Sequence, residues 1–309
     1  MTLSLRERPK AWVGRAQEVA QTLGQAAGDY LSLMKPRIIL LLEVVTLATM
    51  LVAAQGMPSV GALAFTLLGG GLAAGSANAI NCYFDRDIDA VMARTRGRPI
   101  PARRLAPRRA LAFGIAIGGG GFAIVFALVN PLAAFLSLAA LLFYVAVYTV
   151  GLKRLTPQNI VIGGAAGAMP PLVGWAAATG HLSPAALVLF AIIFLWTPPH
   201  FWALALFSLN DYQRAGVPML PVVLGPRAAR RQILLYSVLL VAATILLVPV
   251  NGMGVIYLSA ALVLGGLLLA LALALRHDGS MKEARRLFAF SIVYLAVLFL
   301  LMVVDRVAI

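Results

Sequence analysis

The sequence predicts an all-α fold: a polytopic membrane protein of nine transmembrane helices. Of its 309 residues, 61% are hydrophobic and 12% charged, at a mean hydropathy of +0.93. Soluble domains run nearer half and a quarter. Apolar stretches of the roughly 20 residues that a helix needs to cross the hydrocarbon core recur nine times. Lipid leaves such a chain no other open architecture for its backbone polar groups. The basic residues, finally, collect on alternate connections between these stretches.

Residues 1–36 form a polar arm with Glu7, Glu18 and Asp29. It has no apolar signal core or cleavage site, and its acids argue against a mitochondrial presequence. It is expected to lie on the cytoplasmic surface. The spans are read as 37–57, 61–82, 108–128, 131–150, 159–179, 183–208, 230–250, 252–275 and 286–305, with 306–309 as a short external tail. Together 37–305 would make one transmembrane domain. The first span carries Glu43, and an ionisable group at that depth is expected to face the bundle interior. Gly69-Gly70-Gly71, Gly118 to Gly121 and Gly163-Gly164 mark close helix approach. In the sixth span, Trp196-Thr197-Pro198-Pro199-His200-Phe201-Trp202 holds two prolines that remove backbone donors and kink a helix.

Connections on one side are short: Asn130-Pro131, Gly180-His181-Leu182 and Asn251. On the other side two are long, roughly 83–107 and 209–229, and long loops in compact proteins tend to carry function. Each follows an even-numbered span and opens with Asn and Asp: Asn81 and Asp85, then Asn210 and Asp211. That is a faint repeat of four-helix units, with the ninth helix left over. All of the 25 lysines and arginines except Arg306 fall on the side of the arm and the long loops. The positive-inside rule then predicts a plasma-membrane (bacterial inner-membrane) protein with a cytoplasmic N-terminus and an external C-terminus. The net charge of +14 is thereby explained without nucleic acid. The single cysteine, Cys82, allows no internal disulfide.

Three of the eleven acids crowd into Asn81-Cys82-Tyr83-Phe84-Asp85-Arg86-Asp87-Ile88-Asp89. Continued as a helix, this run puts Asn81, Asp85 and Asp89 on one face, with Asp87 about 200° round from Asp85. Carboxylates one turn apart repel unless a cation holds them. A hard divalent ion such as Mg²⁺, typically bound by one or two carboxylates and substrate phosphates, would suit. The other reading is a solvated acidic turn paired with Arg86 and Arg94. Cationic donors surround the acids in sequence: Arg94, Arg96 and Arg98, then Lys153 and Arg154. Arginine forks match phosphate oxygens and a lysine serves as a point charge, so the combination points to a metal-diphosphate site. His200 is the only histidine within a span. It is either a functional group or a hydrogen-bonded core residue.

The run from Asn81 through Asp85, Asp87, Asp89, Met92, Arg94, Thr95, Arg98 and Pro99 resembles the aspartate-rich motif of the UbiA-type intramembrane prenyltransferases, and within them the haem-farnesylating branch. Three other stretches carry the same resemblance. They are Lys35-Pro36-Arg37, Tyr148 through Lys153-Arg154 on to Pro170-Pro171 and Trp175, and His200-Phe201-Trp202 through Asp211-Tyr212 to Pro221. The likeness runs over roughly 35–305.

The resemblance implies nine helices around a central cavity open to the cytoplasm and to lipid. It implies transfer of a farnesyl group from farnesyl diphosphate to a vinyl group of haem B, giving haem O. Asn81, Asp85, Asp89 and Asp211 would hold Mg²⁺ against the diphosphate. Lys153, Arg94 and Arg98 would neutralise the leaving group, with Arg154 and Tyr148 also binding substrate. His200, about eleven residues before Asp211, would lie some 16 Å deeper on a continuous helix and contact the haem. Membrane lipid, and a haem A synthase or terminal oxidase, are the partners implied.

Two positions depart from the wider superfamily: Cys82 stands where quinone-type relatives usually have Asp, and Ala215 stands four residues after Asp211 where they carry a second Asp. One Mg²⁺ is therefore expected, and a second is thinly supplied. A quinone- or chlorophyll-type prenyltransferase and, from another class, a transporter are the alternatives. The transporter reading is disfavoured because the acids sit at the mouth and not at midplane.

Overall fold

Proline opens most of the long helices, supplying a preset φ where no N–H is needed. The computed structural model describes residues 24–307; residues 1–23, with Arg6, Glu7, Arg8, Lys10, Arg15 and Glu18, and the tail residues 308–309 lie outside the described residues. Helix α1 covers residues 24–34. The rest follow in order: α2 Pro36–Ala53, α3 Val60–Phe84, α4 Arg86–Val91, α5 Pro107–Leu128, α6 Pro131–Leu142, α7 Asn159–Gly167, α8 Pro170–Thr179, α9 Pro184–Phe207, α10 Leu209–Arg214, α11 Leu220–Val223, α12 Gly225–Asn251, α13 Val255–Asp278 and α14 Met281–Val307. Among the described residues no strand is present, and nine helical spans are long and apolar enough to cross a membrane.

The span count agrees with the sequence reading, and the internal breaks are where the two differ. The fifth span is two helices, α7 and α8, because Pro170 and Pro171 offer no N–H to continue the ladder. The lower part of the fourth, Phe143–Leu152, winds as a π-helix below α6. The sixth runs helically through Pro198 and Pro199. The first ends at Ala53, short of 57, because Gln55 and Gly56 take positive φ before Pro58. The seventh begins at Gly225, five residues before the sequence suggested. The two long loops are partly helical, holding α4 in one and α10 and α11 in the other.

Small residues set the packing that positions the site. Along α3 and α5 the backbones nearly touch: a Cβ on Gly121 would lie 2.7 Å from the Gly69 carbonyl oxygen. A Cβ on Gly174 of α8 would lie 2.7 Å from the Thr46 carbonyl oxygen of α2. Lipid tails are as apolar as leucine, so such close approach, and not apolar burial alone, holds membrane helices together. The α9–α12–α13–α14 side has the bulkier core, around Trp202, Tyr257, Tyr294 and Phe299, each nearly inaccessible. Asp305 accepts from Gly254 N (2.6 Å) and Tyr257 N (3.1 Å), placing a carboxylate at the positive end of α13. Helix α1 docks Leu33 against Ala79, Cys82 and Ala110, and Asp29 accepts from Arg104 at 3.0 Å. This stretch of the arm therefore packs onto α3 and α5.

Candidate functional site

The acidic run sits where α3 ends. Asp85 closes α3 and starts α4 without losing helical register: its N–H donates to Asn81 O (2.9 Å) and its carbonyl accepts from Asp89 N (2.8 Å). The side chains of Asn81, Asp85 and Asp89 therefore fall on a common face and are buried. Asp87 falls off that face and is exposed, as the spacing predicts.

Every acid has found a cation, although not the ones proposed for a solvated turn. Lys153 pairs with Asp85, and Asn81 Nδ2 donates to the same Oδ2 at 2.6 Å. Arg98 Nη1 bridges both oxygens of Asp89 at 2.8 and 2.7 Å. Arg154 makes a two-pronged contact with Asp87, 2.7 Å on each arm, which holds that carboxyl down at about 2. Arg86 instead turns back over the Tyr83 ring at 4.7 Å. Arg94 is exposed beside Tyr212. Lys35, which sequence reasoning left in a motif without a role, donates to Asn81 Oδ1 at 3.1 Å. Its neighbours include Asp89, Arg98 and Lys153, and burial lowers its ammonium to about 8. Three cations thus converge on two buried carboxylates.

The π-helical stretch brings the fourth span into this cluster. Hydrogen bonds from i to i+5 stack Tyr144, Thr149 and Lys153 differently from an α-helix. Thr149 Oγ1 donates to Tyr144 O (2.9 Å) and accepts from Asn81 Nδ2 (3.2 Å), while Lys153 N donates to Tyr148 O at 2.8 Å. Segments of π-helix appear frequently at functional sites. The rings of Tyr144 and Tyr148 lie 5.3 Å apart beside the acids. Thr149 and Tyr144 carry no signal in sequence beyond lying one and two turns before Lys153.

The second loop reaches the site through Tyr212 of α10, a buried side chain with Arg94, Tyr148 and Lys153 around it. Asp211 itself accepts from Arg214, on its own helix, at 2.5 Å. Among the described residues no three His, Cys, Asp or Glu side chains come together, so Asp85, Asp89 and Asp211 do not form the joint ligand set expected from the sequence. Each is held by its own cation instead, as like charges in a membrane mouth require. A cavity of about 250 Å³ lies between α4 and the second loop, lined by Asp87, Ile88, Val91, Arg154 and Arg214 to Gly216.

The donor set still fits a hard divalent ion. Asp85 Oδ1 is buried with no hydrogen-bond partner among the described residues. A carboxylate oxygen left without a partner in a buried site is costly unless a cation or donor comes to it. Asp85 and Asp89 are the residues that would hold the ion, with Asn81 Oδ1 available once Lys35 lets it go.

His200 lies apart from the acids. Its ring stacks between Trp196 (4.3 Å) and Phe288 (4.5 Å), and Nδ1 bonds Ser291 Oγ at 2.7 Å. Ser291 Oγ also lies 2.7 Å from Phe288 O, so one hydroxyl stands between the imidazole and a backbone carbonyl. Trp202 is buried against Tyr236 and offers no ring to a ligand. Glu43 lies against Gly70 and Gly71 of α3, and its Oε2 is buried with no hydrogen-bond partner among the described residues.

Residues 42–301 match the model of the UbiA prenyltransferase family. A protein of Symbiobacterium thermophilum named protoheme IX farnesyltransferase is 54% identical over 284 residues, 91% of this chain and 95% of that one. One of the same name in Gloeobacter violaceus is 52% identical over 296 residues, 96% and 97% of the two chains. Among solved structures, one of digeranylgeranylglyceryl phosphate synthase aligns at a TM-score of 0.77 and 18% identity, covering 92% of this chain and 100% of that one. A UbiA homolog from Archaeoglobus fulgidus bound to GPP and Mg²⁺ aligns at 0.59 and 18%, covering 89% and 99%. At these identities the structural likeness is one of fold.

Proposed function

The chain belongs to the UbiA prenyltransferase family and is a multi-pass membrane prenyltransferase, and on that premise we propose that it transfers a farnesyl group from farnesyl diphosphate to a vinyl group of haem B, giving haem O. The observation that carries the diphosphate half is the pair of buried carboxylates, Asp85 and Asp89, ringed by Lys35, Arg98 and Lys153. The names of the relatives carry the haem half.

Mg²⁺, when bound, supplies positive charge to the diphosphate and lowers the barrier to its departure. Asp85 and Asp89 would hold the ion with Asn81 beside them, and Asp211 would add its carboxylate from the second loop only once its pair with Arg214 opens. Lys153 and Arg98, released from their carboxylates, neutralise the leaving diphosphate with Lys35, Arg94 and Arg154. Tyr148 flanks the same cluster. The C1–O bond of the farnesyl chain breaks, and the vinyl carbon attacks the allylic cation. Water adds to the new cation on the haem substituent and gives up a proton. Preorganised charge at the departing oxygen is the largest single contribution, and excluding bulk water until the vinyl group attacks protects the cation.

The direct test is to give the purified chain haem B, farnesyl diphosphate and Mg²⁺, and to follow pyrophosphate release and the mass of the pigment. A mass gain of one farnesyl and one hydroxyl group, abolished by chelation, supports the reading. Farnesylation of a quinone and not of haem would point to the other branch. No pyrophosphate would remove the site assignment.

His200 is read as a contact for the haem and not for the diphosphate, since its ring lies among Trp196, Phe288 and Ser291 and makes no contact with the acid cluster. His200→Ala is expected to weaken haem binding or change the haem spectrum, with farnesyl diphosphate affinity unaltered. Normal spectrum, affinity and turnover would leave His200 as a packing residue between Trp196 and Phe288.

The distribution of basic residues supports a plasma-membrane location with the acid site facing the cytoplasm. Reporter fusions after residues 105 and 225 should read cytoplasmic, and those near 58, near 181 or at the C-terminus external. A cytoplasmic C-terminus would reduce or raise the span count by one.

A further inference from the structure

Away from the carboxylates, the ends of α12 and α13 on the basic face enclose a cavity of about 320 Å³ lined by Arg227, Arg230, Arg231, Arg276 and His277. None of these arginines has a carboxylate within ion-pair distance among the described residues, although Asp278 and Glu283 lie near in sequence. Glu283 is taken by Arg286 at 2.6 Å. Arg227, Arg230 and Arg231 also sit in the first turns of α12, which hold no acid. The helix dipole puts about half a positive charge there, so the three side chains face repulsion from the helix and from one another. Arg227, Arg231, Arg276 and His277 are exposed, yet all of them line this one cavity together with Arg230. Arg230 is half-buried, and its guanidinium packs where Gly279, at φ 69°, leaves it room: a side chain at 279 would overlap it. Four arginines lining one cavity offer guanidinium forks suited to the oxygens of a phosphate group.

We infer that Arg227, Arg230, Arg231, Arg276 and His277 form a second anion site, sharing no residue with the diphosphate cluster, that binds a phosphate-bearing group at the membrane surface. Basic pockets between transmembrane helices at this depth take anionic headgroups. A lipid phosphodiester and a free phosphate offer the same oxygens to the forks. Occupancy neutralises the α12 terminus and ties it to α13, steadying the end of the second long loop.

The test compares the thermal stability of delipidated full-length protein reconstituted in bilayers of phosphatidylcholine, of phosphatidylcholine with phosphatidylglycerol, and of phosphatidylcholine with added inorganic phosphate. Phosphatidylglycerol is expected to raise the melting temperature in a saturable way. Arg227→Gln and Arg276→Gln, both at exposed positions, should each weaken that response about fivefold. Their melting temperature in phosphatidylcholine alone reports that they fold. Arg108→Gln with Arg109→Gln, equally exposed on α5, controls for general surface charge. A response to inorganic phosphate as strong as to the lipid assigns the site to a soluble phosphate; a response to lipid alone assigns it to the membrane. An equal response in native protein and in the double Arg227→Gln, Arg276→Gln variant, or none in either arm, overturns the site.

Discussion

Asp85→Asn and Asp89→Asn should each lower turnover by about a hundredfold or more, while Asp87→Asn stays within a few fold of the native rate. The first two carboxylates are buried on the shared face, and Asp85 keeps an unpartnered oxygen. Losing a charged metal ligand removes on the order of 3 kcal/mol of transition-state stabilisation. Asp87 is exposed, and its pairing with Arg154 is a surface interaction that solvent screens. Steady-state rates at saturating Mg²⁺, beside melting temperatures, check the ranking. Equal, complete loss for all three would mean that α4 rearranges when substrate enters and that the face seen here is not the working one. Native rates for Asp85→Asn would remove the metal site.

Lys153→Met should cost about 10²- to 10³-fold in kcat, the usual effect of deleting one preorganised donor at a developing anion. It should also cost stability, because it strands the Asp85 carboxylate in a site with no exposure of its own. Those two consequences separate in the double variant. Replacing both members of a partly buried pair with neutral groups is often nearly neutral, so Lys153→Met with Asp85→Asn should recover much of the melting temperature. Its activity should remain absent. Recovery of both would make the pair a structural tie with no part in the chemistry. Lys153→Arg, which keeps the charge and lengthens the reach, should retain measurable turnover.

A search for long apolar runs and for basic loops locates nine spans and the two loops that matter. Hydrophobic length and charge placement are properties of the chain that lipid reads one segment at a time. The shared face of Asn81, Asp85 and Asp89 was likewise legible, because helical spacing alone sets it. The cationic neighbours Arg98, Lys153 and Arg154 could be named as a group, but not matched to their acids. Arg98 lies nine residues from Asp89, and Lys153 lies 68 from Asp85; only packing decides such partners.

Lys35 shows the same limit more sharply. Its lysine stands 46 residues before Asn81, at a left-handed turn ahead of Pro36, and nothing local says that the turn aims it into the site. Nor does the apolar run Phe143–Leu152 announce a π-helix, since an inserted residue in the hydrogen-bond ladder is tolerated only where tertiary contacts repay it. Asp211 pairs with Arg214 one turn away, a contact that helical spacing alone makes legible, whereas its separation from the other acids is set by where the second loop packs. Composition and period, then, determined what this chain is: a bundle of apolar helices with charge at one mouth. Which cation meets which carboxylate, and where the helices break to let them meet, was decided by long-range packing, because those energies arise between residues that are neighbours only in the fold.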